Sequence, residues 1–359
     1  MQLINTIEDS SERAQNLEIL AFDKAKAFDS PGRIGGISLA WQRLGLPKHI
    51  ANYIAECDDD NRIFPRTPYY LTSKTKTHDL AFHASMGTPQ GCSSASISYV
   101  AVEDIILSTF QNQLHAIDPY YAKDPSGISF PQPPTQFVDD TYVFCSTPTG
   151  AQNAINLLQT AEPILNIRIN PTKTRHFSIQ WTPPKNNKQP YYTLKEPEQV
   201  LYAYDINATK TPIPPIPLST PTRALGALLT PDNSTTYITT IKKQIDRLKQ
   251  TIIKKKASIQ TIWSVLKQCV YPKYTYILKF TNLSMKDLDK ISASLRDLIR
   301  IKANASHLPN VLLFANKSCQ YGHMYYDLMA HTLREKESTM LRMLAGTAYS
   351  CQIMHCLLA

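Results

Sequence analysis

The sequence predicts an α+β domain, built from an antiparallel sheet with helices on one face, followed by an all-helical region. Over residues 17–230, short apolar runs typical of strands alternate with segments of helical periodicity. After Pro231 the composition changes to helix formers, with apolar residues every three or four positions. These two observations place a domain boundary after residue 232, which divides the chain into residues 1–232 and 233–359.

The first elements follow from apolar runs and their punctuation. Residues 17–23 (LEILAFD) form an apolar run ending on an aspartate, which is typical of a buried strand. A helix is expected where apolar residues recur at helical spacing up to Leu44, and Gly45 with Pro47 should end it. Residues 92–110 are apolar on most sides and predict a buried helix.

The middle of the domain combines regular elements with two insertions. A helix is expected over residues 151–161, and NIRIN (166–170) alternates like a short strand. Residues 111–134 and 181–222 are rich in proline and predict surface insertions. Within the second insertion, YYTL and VLYAY are candidates for an edge hairpin.

Beyond the boundary the sequence predicts amphipathic helices with a basic face. Ile238, Ile241, Ile245, Leu248 and Ile252 step by three and four along one side of the first helix. Lys242, Lys243, Arg247 and Lys249 occupy its other positions. A further helix is expected where Leu288, Ile291, Leu295 and Leu298 repeat the same spacing.

Composition narrows the possible classes of protein. The 359 residues carry a formal net charge of +9, which suits a polyanionic partner without requiring one. Seven cysteines, odd in number and scattered, do not make a disulfide framework. No apolar stretch is long enough to span a bilayer and the N-terminus lacks a signal-peptide core, so we expect a soluble, intracellular protein without a membrane partner.

The segment QFVDDTYVF places two adjacent carboxylates between apolar arms, which predicts a tight hairpin with Asp139 and Asp140 at or beside the turn. Like charges in such a place repel each other, and desolvation further disfavours ionisation. A hard divalent cation would reverse that balance. Asp23 at the end of its strand would be a third carboxylate, enough for two ions about 4 Å apart. From these residues alone, a solvated β-turn rich in aspartate remains an alternative.

Five segments in order resemble the palm of reverse transcriptases, especially those of non-LTR retrotransposons and group II introns. The resemblance covers about residues 17–230. The segments are LAFDKAKAFD (20–29), MGTPQGCSSASIS (86–98), FVDD (137–140), LNIRINPTKT (165–174) and ALGALL (224–229). The helical region is then similar to the thumb that follows such a palm.

The resemblance implies an RNA-directed DNA polymerase that extends a DNA primer on an RNA template with deoxynucleoside triphosphates. Asp23, Asp139 and Asp140 match the catalytic carboxylates that hold two Mg²⁺ ions. Mn²⁺ is a candidate to take the place of Mg²⁺. Lys173 matches a lysine that acts as general acid toward pyrophosphate. An ordinary solvated lysine is the alternative for that position.

Further site residues carry over in the same way. The main-chain carbonyl of Lys24 matches a group that completes one metal shell. Phe28 matches the aromatic side chain that packs under the sugar and excludes a ribose 2′-hydroxyl, with simple core packing as the alternative. Gln90 and Gly91 match the loop that touches template and incoming nucleotide.

Lys242, Lys243, Arg247 and Lys249 are candidates for contacts with a nucleic-acid duplex backbone, against the alternative of a lysine-rich solvated face. Members of the family carry a fingers region before the first palm aspartate, whereas only 22 residues precede Asp23 here. We therefore expect a fragment of a larger retrotransposon protein whose other domains are missing. Two other functions stay open: an inactive relic of a retroelement that binds nucleic acid, and an RNA-directed RNA polymerase.

Overall fold

The computed structural model describes residues 2–57, 62–63, 82–83, 86–88, 94–123, 127–184, 191–205, 207–224, 227–230, 232, 237–279, 283–307, 309 and 327–345.

The first part of the chain mixes helices with short strands. In chain order these are α1 (Gln2–Arg13), β1 (Leu17–Phe22), a π-helical segment (Arg33–Ser38) leading into α2 (Leu39–Arg43), α3 (Lys48–Glu56), β2 (Arg62–Ile63), β3 (Phe82–His83), α4 (Ala95–Asn112), a 3₁₀ turn (Leu114–Ile117), β4 (Tyr121–Lys123), β5 (Ser129–Pro131), β6 (Thr135–Phe137), β7 (Asp140–Cys145) and α5 (Pro148–Leu165).

Strands dominate the next part and helices the last. These elements are β8 (Arg175–Thr182), β9 (Thr193–Lys195), β10 (Leu201–Tyr204), β11 (Lys210–Ile213), β12 (Thr222–Ala224), β13 (Ala227–Leu229), α6 (Tyr237–Ile253), α7 (Ile259–Val265) with a π-helical continuation (Leu266–Val270), α8 (Tyr271–Lys279), α9 (Met285–Lys302) and α10 (Leu328–Leu344).

A five-stranded sheet in the order β6-β7-β1-β8-β9 forms the centre of the α+β part. Every neighbouring pair in it is antiparallel. The central strand β1 carries the apolar run predicted from the sequence, and its Leu17, Ile19 and Leu20 are fully buried. The predicted α+β class, with an antiparallel sheet and helices, is therefore confirmed.

Helices α4 and α5 share an apolar core with the sheet. The core combines side chains of β1 and β7 with the inward faces of both helices, among them Leu20, Phe22, Val143, Tyr99, Val102, Ile106, Ile155 and Leu158. Each of these side chains is almost completely removed from water. Burial of each large apolar side chain contributes about 1.5–3 kcal/mol to the stability of the fold. This cluster therefore stabilises the packing of β1 and β7 against α4 and α5.

Two compact units are distinguishable. One comprises Asn16–Tyr121 and Phe130–Ile216 and contains the five-stranded sheet; the other comprises Met1–Gln15, Ala122–Ser129 and Pro217–Ala359 and contains α6 to α10. The second unit has its own core, in which the predicted apolar faces of α6 and α9 meet. The domain boundary after residue 232 remains a prediction, while the compact units change over between Ile216 and Pro217.

Some local expectations differ from the structure. The segment 166–170 is not a strand, because its β-type pairing in the described structure is a single isolated bridge between Ile169 and Lys24. The chain then turns at once, since the Lys173 and Thr174 amides both donate to the carbonyl of Asn170. The strand that follows this turn, β8, pairs with β1.

The proline-rich insertions also contain more structure than expected. Ile117 and Tyr120 in the first insertion are buried. The Tyr120 amide donates to the carbonyl of Phe144, which holds this part of the insertion beside the sheet. In the second insertion, β10 pairs with β11 rather than with the YYTL segment, whose residues in β9 extend the main sheet at β8. In α4, predicted to be buried on most sides, Ile97 and Val100 are exposed.

None of the helices in the described ranges is both long and apolar enough to cross a membrane.

Candidate active site

The FVDD segment forms the predicted hairpin. Phe137 of β6 pairs with Asp140 of β7, so Val138 and Asp139 are the two central residues of the turn. Val138 has a φ of 58°, in the left-handed region that β-branched residues rarely adopt. Two-residue hairpin turns require a positive φ at this first central position, which usually selects glycine or asparagine. The strained valine therefore holds Asp139 at the tip of the hairpin.

Asp23 lies at the same end of the sheet as this hairpin. It directly follows β1, whose last residue Phe22 pairs with Thr141, the residue after Asp140. Asp23 and Asp140 consequently lie at the adjoining ends of two neighbouring strands. The structure brings together the three carboxylates that the sequence selected from segments more than a hundred residues apart.

The ionisation of Asp23 and Asp140 reflects burial first and neighbouring carboxylates second. Burial raises the pKa of Asp23 above its ordinary value and the Asp139 carboxylate raises it further, whereas Lys173 and Arg175 oppose the rise. Burial also raises the pKa of Asp140, and both Asp139 and Asp23 add to that shift. Mutual repulsion of the three groups is therefore present in the protein without a metal ion.

Residues 170–174 (NPTKT), the end of the LNIRINPTKT segment, hold the backbone of Asp23. The amide of Asn170 donates to the Asp23 carbonyl at 2.7 Å, and the Asp23 amide donates to the Thr174 hydroxyl at 3.3 Å. That hydroxyl in turn donates to the carbonyl of Asn170 at 2.9 Å. The turn fixes Asp23 through its main chain and leaves its carboxylate available for other contacts.

The same turn directs Lys173 toward Asp23. Its Nζ lies 3.9 Å from Asp23 Oδ2, and the lysine side chain is 69% exposed. This is an ion-pair distance, too long for a hydrogen bond. Asp23 Oδ2 is buried and has no hydrogen-bond partner in the described part of the structure. The general-acid role of Lys173 remains a prediction.

Lys24 directs its side chain into the protein interior. Its Nζ forms an ion pair with Glu103 of α4, in which both side chains are fully buried. The ammonium also donates to the Thr141 hydroxyl at 3.1 Å. The role predicted for the main-chain carbonyl of Lys24 remains a prediction.

Phe28 is partly buried at the edge of the core. Its ring lies 4.8 Å from the ring of Tyr99 between centroids, with the two planes tilted by 34°. Its carbonyl accepts a hydrogen bond from the amide of Thr88 at 2.8 Å. Core packing and a substrate-facing position are both compatible with this environment, so the sugar-excluding role remains a prediction.

The start of the G-x-P-Q-G segment docks beside Phe28. Gly87 has a φ of +76°, and a Cβ added there would lie 2.5 Å from the carbonyl oxygen of Phe28. Only glycine allows this approach of the two backbones. Gln90 and Gly91, predicted to touch template and nucleotide, lie outside the described residues.

The acidic cluster has the donor chemistry that a hard divalent ion prefers. Carboxylate oxygens are the ligands of Mg²⁺ and Mn²⁺, and one of them, Asp23 Oδ2, is buried without a hydrogen-bond partner in the described structure. Within the described ranges, however, no three His, Cys, Asp or Glu side chains already stand in a metal-binding arrangement. The carboxylates fit an ion chemically but would have to turn toward it.

The four basic residues predicted to contact a duplex differ in their surroundings. Lys242, Lys243 and Arg247 are exposed on α6. Lys249 is only 19% exposed and forms an ion pair with Asp297 of α9 at 3.3 Å. The first three are therefore better placed to contact a phosphate backbone than Lys249, and nucleic-acid binding by all four remains a prediction.

Sequence reasoning missed Glu103 and Thr141, which contact the Lys24 ammonium, and Tyr99, whose hydroxyl donates to Glu103. Glu103 is fully buried although it is ionisable, and it lies beside Asp104 in a largely apolar stretch of α4. A glutamate among apolar residues of a predicted buried helix was the available signal, since a buried charge requires a partner. The sequence did not indicate which partner.

Comparison with known proteins gives limited similarity. No protein-family model and no curated protein sequence matches the chain. Among solved structures, the chain is similar to telomerase from Candida tropicalis in complex with the TWJ fragment of telomeric RNA, with a TM-score of 0.43, 12% identity and coverage of 99% of this chain and 51% of that one. Telomerase from Candida albicans in complex with the same fragment gives a TM-score of 0.30 and 11% identity, covering 98% of this chain and 52% of that one.

This chain therefore spans about half the length of the telomerase chains to which it is similar. TM-scores below 0.5 do not establish a common function, so the function proposed below rests on the site.

Proposed function

We propose that the chain is the palm and thumb-like part of an RNA-directed DNA polymerase of reverse-transcriptase type, encoded by a retrotransposon. The observation that carries this proposal is the meeting of Asp23 with Asp139 and Asp140 at the ends of neighbouring strands. The order of the five sequence segments supports it further, because residues 20–29, 137–140 and 165–174 each contribute to the same end of the sheet.

The carboxylates supply the electrostatic part of the reaction. Asp23, Asp139 and Asp140 would hold Mg²⁺, with Mn²⁺ as a substitute, and the bound metal would stabilise charge on the attacking 3′-oxygen and on the leaving pyrophosphate. The raised pKa values of Asp23 and Asp140 are consistent with carboxylates that lack their countercharge.

Other residues would orient substrate and move a proton. Lys173 Nζ, exposed and directed toward Asp23, would donate its proton to the pyrophosphate oxygen. Phe28 would pack beneath the deoxyribose and exclude a 2′-hydroxyl. Lys242, Lys243 and Arg247 on α6 would contact the phosphates of the primer–template duplex.

Primer extension tests this function. A DNA primer annealed to an RNA template is incubated with the chain, deoxynucleoside triphosphates and Mg²⁺. Asp139→Ala should lower incorporation at least about a hundredfold, the order of loss seen when a group that stabilises developing charge is removed. The control is Asp104→Asn on α4, which removes a carboxylate that pairs with Arg43 at 3.4 Å outside the site.

Each outcome distinguishes between functions. Equal incorporation by the wild type and Asp139→Ala would contradict the assignment of the site. A wild-type chain that binds nucleic acid in a salt-sensitive manner without incorporating any nucleotide would be the inactive relic. A preference for ribonucleotides would identify an RNA-directed RNA polymerase instead.

A further inference from the structure

A buried polar network connects α4 to both strands that carry the site carboxylates. Lys24, the residue after Asp23, forms a fully buried ion pair with Glu103. The same ammonium donates to Thr141, the residue after Asp140, at 3.1 Å. One lysine thus joins the ends of β1 and β7 to the middle of α4.

The network continues from Glu103 to Phe28. The Tyr99 hydroxyl donates to Glu103 Oε1 at 2.6 Å, one helical turn away on α4. The ring of Tyr99, which is fully buried, lies 4.8 Å from the ring of Phe28. The hydroxyl contact fixes the position of the tyrosine ring, and that ring forms one wall of the space that Phe28 occupies.

Such a network is rigid because each member depends on the others. A buried charge pair is costly to break, since removing either partner leaves the other ionised away from water. Glu103 has both oxygens engaged, one by Lys24 and the other by Tyr99. Rotation of Tyr99 away from Phe28 would leave a buried carboxylate oxygen without its donor.

We propose that Glu103 and Tyr99 are positioning residues for Phe28 and thereby set the discrimination between deoxyribose and ribose. This inference rests on the proposed polymerase function and on the proposed sugar-facing role of Phe28. Lys24 completes the device by tying Glu103 to the strands of Asp23 and Asp140, so that the distance between Phe28 and the carboxylates stays fixed.

The first measurement is the ratio of kcat/KM for a deoxynucleotide to kcat/KM for the matching ribonucleotide. Phe28→Ala gives the reference value of this ratio when the Phe28 side chain no longer excludes a ribose. Tyr99→Leu, which removes the supporting ring, should lower the ratio about tenfold, the order that a small change of fit in a pocket produces. Tyr99→Phe keeps the ring but removes the hydroxyl, and should lower the ratio by a smaller factor.

A matched control separates positioning from stability. Ser98 lies next to Tyr99 on α4, is buried, and accepts a hydrogen bond from the Trp41 indole at 3.3 Å. Ser98→Ala removes a buried polar contact without touching the network. It should lower the unfolding temperature while leaving the discrimination ratio unchanged.

The second measurement does not require catalysis. A fluorinated phenylalanine is introduced at position 28, and its ¹⁹F resonance is recorded in the wild-type background, Tyr99→Phe, Glu103→Gln and Ser98→Ala. We expect a shifted or broadened resonance in the two network variants and an unchanged one in Ser98→Ala. Thermal unfolding of each variant verifies that the chain is folded at the temperature of the measurement.

The outcomes are separable. An unchanged resonance in folded Tyr99→Phe and Glu103→Gln would overturn the inference, whether or not the chain polymerises. A shifted resonance with an unchanged discrimination ratio would overturn the role in sugar selection. If the wild type incorporates no nucleotide, the proposed function fails and the role in sugar selection fails with it, while a shifted resonance would still support the positioning of Phe28.

Discussion

At the scale of single residues, ionised Asp23 and Asp140 lower the stability of the folded, metal-free protein. Both carboxylates are partly removed from water, and each is raised in pKa by burial and by its acidic neighbours. A raised pKa in the folded state means that folding favours the protonated acid. The stability that this preference contributes is present below the ordinary pKa and is lost as the pH rises through the raised value.

Asp140→Asn should therefore stabilise the metal-free protein at neutral pH. We expect a higher unfolding temperature than that of the wild type at pH 7. The difference should vanish well below pH 3.8, the ordinary pKa of the group, where the carboxyl is protonated in both states. Thermal unfolding across this pH range measures the effect.

Mg²⁺ should reverse the order of the two proteins. An ion at about 100 times its Kd would add ~2.7 kcal/mol to the stability of the protein that binds it, and Asp140→Asn should gain less. Asp104→Asn serves as the control with a full response. An equal response to Mg²⁺ in the wild type and Asp140→Asn would contradict metal binding at this carboxylate.

At the scale of elements, α5 covers the free edge of β10. Gln152 donates to the carbonyl of Tyr202 at 2.8 Å and accepts from its amide at 2.9 Å. Two helical turns later, Gln159 donates to the carbonyl of Tyr204 at 2.7 Å and accepts from its amide at 3.2 Å. Each glutamine amide takes the place of a partner strand. The backbone N–H and C=O groups on this edge are therefore occupied and are not available to pair with a strand of another chain.

Removing these amides should open the edge of β10. In Gln152→Ala/Gln159→Ala we expect the Tyr202 and Tyr204 amides to exchange with solvent faster, on the order of fivefold, since each loses a hydrogen bond worth about 1 kcal/mol. Hydrogen exchange measures this directly. Thr160→Ala on the same helix is the control, because its hydroxyl bonds within α5, to the carbonyl of Asn156. Unchanged exchange in the double variant would contradict the edge-capping role.

At the scale of the whole molecule, the net charge of +9 favours association with polyanions. Charge alone does not make a binding surface, however, because a basic side chain held in an ion pair contributes little to phosphate contacts. Lys249 is held by Asp297 in this way, whereas Lys242, Lys243 and Arg247 are exposed. The salt dependence of binding distinguishes the two groups.

The triple variant Lys242→Ala/Lys243→Ala/Arg247→Ala should bind a DNA duplex with a weaker dependence on salt. Each lost phosphate contact lowers the slope of log affinity against log salt by about 0.9. Fluorescence anisotropy at several salt concentrations measures the slope. Lys249→Ala should retain the wild-type slope, and identical slopes in the triple variant and the wild type would contradict a phosphate-binding role for α6.

The sequence by itself predicted the elements whose signal is local. The apolar run of β1, the FVDD hairpin and the apolar faces of α6 and α9 all depend on residues a few positions apart, and the structure contains each of them. The three candidate carboxylates could be selected for the same reason, since their apolar flanks are adjacent in the chain.

The tertiary structure decided the contacts between distant segments. Lys24 and Glu103 are 79 residues apart, β1 pairs with the distant strand β8, and β10 has its partners in β11 and in the glutamines of α5. Hydrophobic periodicity predicts that a side chain is buried but does not predict which residues it packs against. The partner of a buried charge or of a strand edge is fixed only when the whole core packs, because burial in the completed core makes an unpaired charge or strand edge costly.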